Sequence, residues 1–224
     1  MNFTSSEENY LKAVYHLQAE DAPVSTNSLA EKLNTRPASV TDMMKKLDAK
    51  KLLHYTPYYG FHLTGQGKKA ALEIIRRHRL WEVFLAQKLG FDWNEVHSLA
   101  EELEHVSSKK LIDKLDAFLE HPHFDPHGDP IPDSRGKMKL RHKFSLDKLP
   151  LQKTAVVCRV ANQTTEMLEL LAHKNIRIGT CLEVKVQFPF DQSLELRIKP
   201  DTLVTISEQL AKNIFVAYEE DQQP

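Results

Sequence analysis

Three apolar stripes of helical spacing, followed at once by two β-like runs around a tight turn, leave few folds open to the N-terminal part of this chain. Leu11, Val14, Tyr15 and Leu17 form the first stripe, opened by Ser5 with Glu8 as a capping box. Leu29, Ala30 and Leu33 form the second, behind Ser25 as cap, and Val40, Met43, Met44 and Leu47 the third, behind Pro37. Leu52 to Thr56 and Phe61 to Leu63 then flank Pro57-Tyr58-Tyr59-Gly60, a turn sequence. Three helices and a hairpin predict a winged helix-turn-helix over residues 1–73. The polar face of the third helix offers Arg36, Ser39, Thr41, Asp42, Lys45 and Lys46 to the DNA major groove, and the hairpin tip offers Tyr58 and Tyr59 to neighbouring backbone. A net charge of −1 gives no overall attraction to nucleic acid, but phosphate contact needs only a local patch. Arg36, Lys45, Lys46, Lys50 and Lys51 against Asp42 and Asp48 supply one, and Lys68, Lys69, Arg76, Arg77 and Arg79 a second.

Downstream, Thr64 is expected to cap a long helix running to about Lys88, and Asp92 with Glu95 a second one. His78 and Glu82 lie one turn apart on the former; His97, Glu101, Glu104 and His105 fall at i, i+4, i+7 and i+8 on the latter. One such decorated face is more often simply solvated, whereas two successive ones suit a divalent transition metal held by oxygen and nitrogen donors. His121, His123, Asp125, His127 and Asp129 lie in a Pro-rich stretch with no common face, and are expected to form an ordered loop rather than a further site. Leu111, Ile112, Leu115, Phe118 and Leu119 make a helix whose apolar face most simply packs against a second copy of the chain.

From Thr154 the pattern changes. Ala155 to Val160, Cys181 to Phe188, Leu194 to Ile198 and Leu203 to Ile206 favour strands, with a helix from Thr164 to His173, predicting a small β-barrel-like domain. The fold class is thus mainly α with a small β C-terminal domain. Cys158 and Cys181 form no CxxC pair and are expected as buried thiols, and Glu219, Glu220 and Asp221 as a solvated tail. No apolar run reaches membrane-spanning length and the N-terminus shows no export pattern, so the expected location is the cytoplasm.

The segments SSEENYLKAVYHL, PASVTDMMKKLDAKKLL, LTGQGKKAALEIIRRHRLWEVFL and EELEHVSSKKLIDKLDAFL, with IRIG at 176–179, resemble the diphtheria-toxin-repressor family of iron- and manganese-dependent regulators. The resemblance implies a metal-binding and dimerisation region over 74–140, a linker at 141–153 and an SH3-like (FeoA-like) domain over 154–224. It implies an ancillary metal site at His78, Glu82 and His97, to which Gln163 and Glu166 of the last domain correspond in reversed order of type. A regulatory site would use Asn9, Glu101, Glu104 and His105. It further implies a homodimeric, non-enzymatic repressor of metal uptake and homeostasis, binding a palindromic operator in double-stranded DNA. Glu101, where iron-responsive relatives carry Cys, leaves a hard donor set that suits Mn²⁺, with Fe²⁺ second and Zn²⁺ or other divalent ions accepted in vitro. Asn9 stands where manganese-responsive members carry Asp, and Lys12 where some carry a Glu, which removes a ligand needed for a closely spaced metal pair. The alternatives are a metal-dependent hydrolase, for which no positioned base is evident, and a constitutive winged-helix regulator with a vestigial site.

Overall fold

The computed structural model describes residues 3–18, 22–56, 58–106, 108–141 and 143–218; Pro57 and the acidic tail lie outside them. The chain divides into two compact units, one of Met1–His78, Glu101–Ile112 and Pro132–Lys137, the other of Arg79–Ala100, Asp113–Ile131 and Met138–Pro224.

In the first unit, α1 (Ser5–Leu17), α2 (Thr26–Lys32) and α3 (Pro37–Ala49) precede a hairpin of β1 (Leu53–Thr56) and β2 (Gly60–Leu63). Leu11, Val14, Leu29, Val40, Met44, Leu47, Leu52, Leu53 and Phe61 are fully buried, so all three stripes and the hairpin share one core. Each such side chain contributes about 1.5–3 kcal/mol by leaving water. The capping box opening α1 is Thr4 with Glu7, one residue earlier than the expected Ser5 with Glu8. Val24 exchanges both backbone hydrogen bonds with Phe61, at 2.8 and 3.1 Å, adding a third partner beside the turn end of the hairpin. Gly60, at φ +110°, is required there because a Cβ would meet the Val24 carbonyl oxygen at 2.5 Å.

The long helix α4 (Gly65–Leu89) is capped as expected, with the Thr64 hydroxyl accepting from the Gly67 amide at 3.1 Å. The next helix, α5 (Val96–Leu103), is shorter than its spacing predicts: Asp92 and Glu95 make a turn ahead of it, and Glu104 and His105 fall in the turn after it. A sixth helix, α6 (Lys109–Phe118), follows. No helix among the described residues is long and apolar enough to cross a membrane.

The second unit holds an antiparallel six-stranded sheet in the order β3-β8-β4-β5-β6-β7. The expected strands are present as β4 (Thr154–Val160), β5 (Cys181–Gln187), β6 (Leu194–Ile198) and β7 (Thr202–Ile206), and α7 (Thr165–His173) buries Met167, Leu168 and Leu171 on its inner face. The residues expected as linker contribute β3 (Phe144–Ser145) and a 3-10 turn, Leu146–Lys148. Leu146 and Leu149 enter the core of the β domain, so that domain begins earlier than its alternating pattern indicates. A short α8 (Glu208–Asn213) leads into β8 (Ile214–Ala217), which pairs with both β3 and β4.

Candidate metal centre and DNA-binding face

The first turns of α1 carry Glu7, Glu8, Asn9 and Lys12, and each side chain has a separate task. Lys12 Nζ donates to Glu101 Oε1 at 2.7 Å and to the two oxygens of Glu104 at 2.7 and 2.8 Å. Glu104 is wholly buried and also receives His78 Nδ1 at 2.7 Å. Burial raises its carboxyl, but the His78 hydrogen bond and the Lys12 charge outweigh that and hold it below the ordinary value. Glu8 accepts from Arg77 and, at 2.7 Å, from Nδ1 of His105. A carboxylate on one ring nitrogen fixes the tautomer and leaves Nε2 as the ligating atom, the usual support for a metal-binding His. The Asn9 side-chain oxygen is buried and has no hydrogen-bond partner. A buried carbonyl oxygen without a donor costs about 1–3 kcal/mol, and coordination to a cation satisfies it. Asn9, Glu101, Glu104 and His105 offer hard donors of the kind a divalent ion takes, with Lys12 Nζ lying between the two carboxylates.

In the first unit, His78 bonds Glu104. In the second unit, Glu82 accepts from His97 Nδ1 at 3.1 Å and lies with Asp125 and His127, ligand atoms of these last two and Glu82 all falling within 4.8 Å of one another. All three are buried. His127 donates from Nε2 to the Trp93 carbonyl at 2.8 Å, and its Nδ1 has no hydrogen-bond partner. Asp125 Oδ1 accepts from the amides of His127 and Asp129 at 2.8 and 2.9 Å, which winds the loop so that both side chains point inward. Burial and the charges of Glu82 and Asp129 push the Asp125 carboxyl up to about 7. Burial lowers the His127 ring, but Glu82, whose Oε1 lies 3.7 Å from Nδ1, and the Asp125 charge prevail and raise it. The group thus holds protons that a divalent ion would displace. The expected ordered loop is present, and it brings Asp125 and His127 together with Glu82. The signal for it was the Asp-Pro-His-Gly-Asp turn itself, not any periodicity.

Gln163 and Glu166 are not brought to either cluster. Gln163 donates to Asp129 Oδ2 at 2.7 Å, while Glu166 is exposed in the first turn of α7. Asp129 also receives Arg159, and the Val160 amide donates to the His127 carbonyl at 3.0 Å. The β domain therefore grips the loop that carries two of the second cluster's donors.

On the DNA side, Arg36, Ser39, Asp42 and Lys45 are exposed along one face of α3. Thr41 is half-buried and donates its hydroxyl to the Pro37 carbonyl at 3.1 Å. Tyr58 and Tyr59 are 105% and 79% exposed at the hairpin tip. Lys46 and Lys50 turn toward α1, where Glu7 Oε1 takes both, at 3.0 and 2.6 Å. Burial raises the Glu7 carboxyl, but hydrogen bonds from Lys50, Lys46 and Thr4 bring it down from 4.5 to about 2. A folded value below the unfolded one means stability that is complete above pH 4.5 and lost as pH falls through about 2. Urea melts of Glu7→Gln and the unsubstituted protein should therefore differ at pH 6 and converge toward pH 2; a pH-independent gap would refute the ion pairs as its cause.

Comparison with known proteins agrees with this layout. Residues 2–61 match the iron dependent repressor N-terminal DNA binding domain, residues 64–133 the iron dependent repressor metal binding and dimerisation domain, and residues 144–218 the FeoA domain. An uncharacterized HTH-type transcriptional regulator of Methanocaldococcus jannaschii is 35% identical over 118 residues, 52% of this chain and 94% of that one. The diphtheria toxin repressor of Corynebacterium glutamicum is 30% identical over 131 residues, 58% of each chain. Among solved structures, a manganese-dependent transcriptional repressor in complex with manganese superposes with a TM-score of 0.85 at 32% identity, over 95% of this chain and 99% of that one. The manganese regulator SloR follows with a TM-score of 0.76 at 28% identity, over 97% and 100%. With all three of its segments matched in order and a whole-length relative above 30% identity, the chain belongs to the diphtheria-toxin-repressor family of metal-dependent transcriptional regulators.

Proposed function

We propose that this protein is a metal-dependent transcriptional repressor, with Mn²⁺ as co-repressor and Fe²⁺ as the second choice. The observation that carries the reading is the coupling of the DNA-reading helices to the ligand-bearing turn inside one compact unit. α1 packs in the core with α3, and through Glu8 and Lys12 it holds His105, Glu101 and Glu104. A bound divalent ion would supply charge and directional bonds to Asn9 of α1, to Glu101 near the end of α5 and to Glu104 and His105 of the turn after it. The residues then do the mechanical work: Glu8 orients the His105 ring, and Lys12 keeps both carboxylates facing α1. With Lys12 already among those oxygens, the cluster takes a single divalent ion beside the Lys12 side chain. Glu82, Asp125, His127 and His97 form a second divalent site, which stiffens the loop gripped by the β domain.

The protein acts as a homodimer whose paired α3 helices enter successive major grooves of a palindromic operator in double-stranded DNA. Arg36, Ser39, Asp42 and Lys45 face the groove, and Tyr58 and Tyr59 reach the flanking backbone. It controls metal homeostasis from the cytoplasm and performs no catalysis. Because linkage is reciprocal, DNA raises metal affinity by the factor by which metal raises DNA affinity. Fluorescence anisotropy on the protein's own promoter DNA at fixed salt, with chelator, Mn²⁺ or anaerobic Fe²⁺, is expected to show tightening of about 10- to 100-fold by metal. Equal affinity under chelator would sink the proposal.

A further inference from the structure

Glu7 is an acidic side chain that faces the basic patch of α3 from within the fold, and its placement has the form of a bound anion. Its side chain is completely buried, and its two oxygens divide their work. Oε2 accepts the Thr4 amide at 3.1 Å as part of the helix cap, whereas Oε1 accepts Lys50 at 2.6 Å and Lys46 at 3.0 Å. Lys46 and Lys50 are one turn apart on α3 and so share the side that faces α1. Their side chains remain 52% and 35% exposed, so both ammonium groups stay within reach of an external anion. Lys50 is further steadied by the Phe3 ring, 6.0 Å from its Nζ. Lys45, next to Lys46 in sequence, points out along the exposed face with Arg36, Ser39 and Asp42.

The geometry points to Glu7 as an internal stand-in for a DNA phosphate, which occupies Lys46 and Lys50 and so restrains binding to arbitrary DNA. This rests on the proposed DNA-binding role and adds a brake to it. Non-specific affinity comes almost entirely from counterions released as lysines and arginines meet phosphates. A lysine already neutralised by a buried carboxylate has few counterions to release, and must break a short ion pair before it meets a phosphate. Binding to random sequence is weakened by this arrangement, whereas readout by the exposed face of α3 is untouched. Specificity against the excess of random sites in a genome rises accordingly.

The test uses the metal-free full chain and a random-sequence duplex, with anisotropy measured across a potassium chloride series. Glu7→Gln is the chosen variant because Gln retains the capping acceptor. It should tighten binding roughly 3- to 10-fold at low salt and steepen the slope of log K against log salt by about 1–2. In a Lys46→Ala/Lys50→Ala background the same Glu7 change should do nothing. Unchanged or weaker binding by Glu7→Gln, or equal tightening without the two lysines, overturns the inference. Should Glu7→Gln fail to fold, single alanine variants decide the matter. Lys45→Ala should cost more affinity than Lys46→Ala or Lys50→Ala, and the reverse order refutes the brake. The metal response of the unsubstituted protein on promoter DNA is measured separately, so a failed repressor reading is distinguishable from a failed brake.

Discussion

Glu104→Ala is expected to lower the free energy of unfolding by about 3–5 kcal/mol and to abolish metal-dependent tightening on DNA. The stability loss arises from what is left behind. Lys12 is only 12% exposed, and Glu104 supplies two of its three short carboxylate contacts. Removing that carboxylate strands most of a buried ammonium charge and deprives His78 of its acceptor. Adding Lys12→Met to Glu104→Ala should restore most of the stability, since an apolar side chain of similar length needs no counter-charge. It should not restore the metal response, because the ligand is still missing. Urea denaturation and anisotropy with Mn²⁺ on the same preparations separate the two effects. A single variant as stable as the parent would show that the pair contributes nothing. An intact metal response would remove Glu104 from the switch.

The second large effect is expected at Gly128. A Cβ there would stand 1.9 Å from the Cys158 carbonyl oxygen and 2.8 Å from the Arg159 Cα, both backbone atoms of β4. With φ at +84° the conformation is itself unfavourable for any other residue. Gly128→Ala should therefore cost about 3 kcal/mol or more, because β4 has no flexible side chain to move aside. Gly179 provides the control. Its φ is +87°, yet nothing lies within 4 Å of its would-be Cβ, so Ala there should cost only the backbone term, about 1–2 kcal/mol. Since His127 and Asp125 are held by the same turn, Gly128→Ala should also empty the Glu82 cluster. Calorimetric titration with Mn²⁺ would register one fewer ion per chain, and an unchanged count would exclude that cluster as a metal site.

Much of this was legible in the sequence because it rests on local repeats. Helical spacing in 5–49 and the β-favouring apolar runs of β4 to β6 come from core packing, which writes itself into the chain. The shift of the α1 cap shows where locality ends. Thr4-x-x-Glu7 and Ser5-x-x-Glu8 both satisfy the capping pattern, and the choice is made far away, where Arg77 and His105 claim Glu8. Strands of two and four residues, β3 and β8, are too short to carry a period. The site divides in the same way. Glu101, Glu104, His105 and His78 lie on or beside helices and were evident from spacing, whereas Asp125 and His127 are aimed by turn hydrogen bonds that leave no repeat. Lys12 sits three and four residues from Asn9 and Glu8 on α1 and so shares their face, but its claim on Glu101 and Glu104 is a tertiary fact.

The hairpin of the winged helix is anchored right up to its turn. Val24 pairs with Phe61 and closes on Gly60 beside the turn, while Tyr58 and Tyr59 just beyond them are exposed. An isolated two-stranded hairpin is barely stable, so its direction is set by these contacts. Exchange of either tyrosine changes the chemistry presented to the ligand without changing where it is presented. A gene duplicate could in this way retune how tightly it holds any operator through two surface positions, while the core that carries them stays as it was.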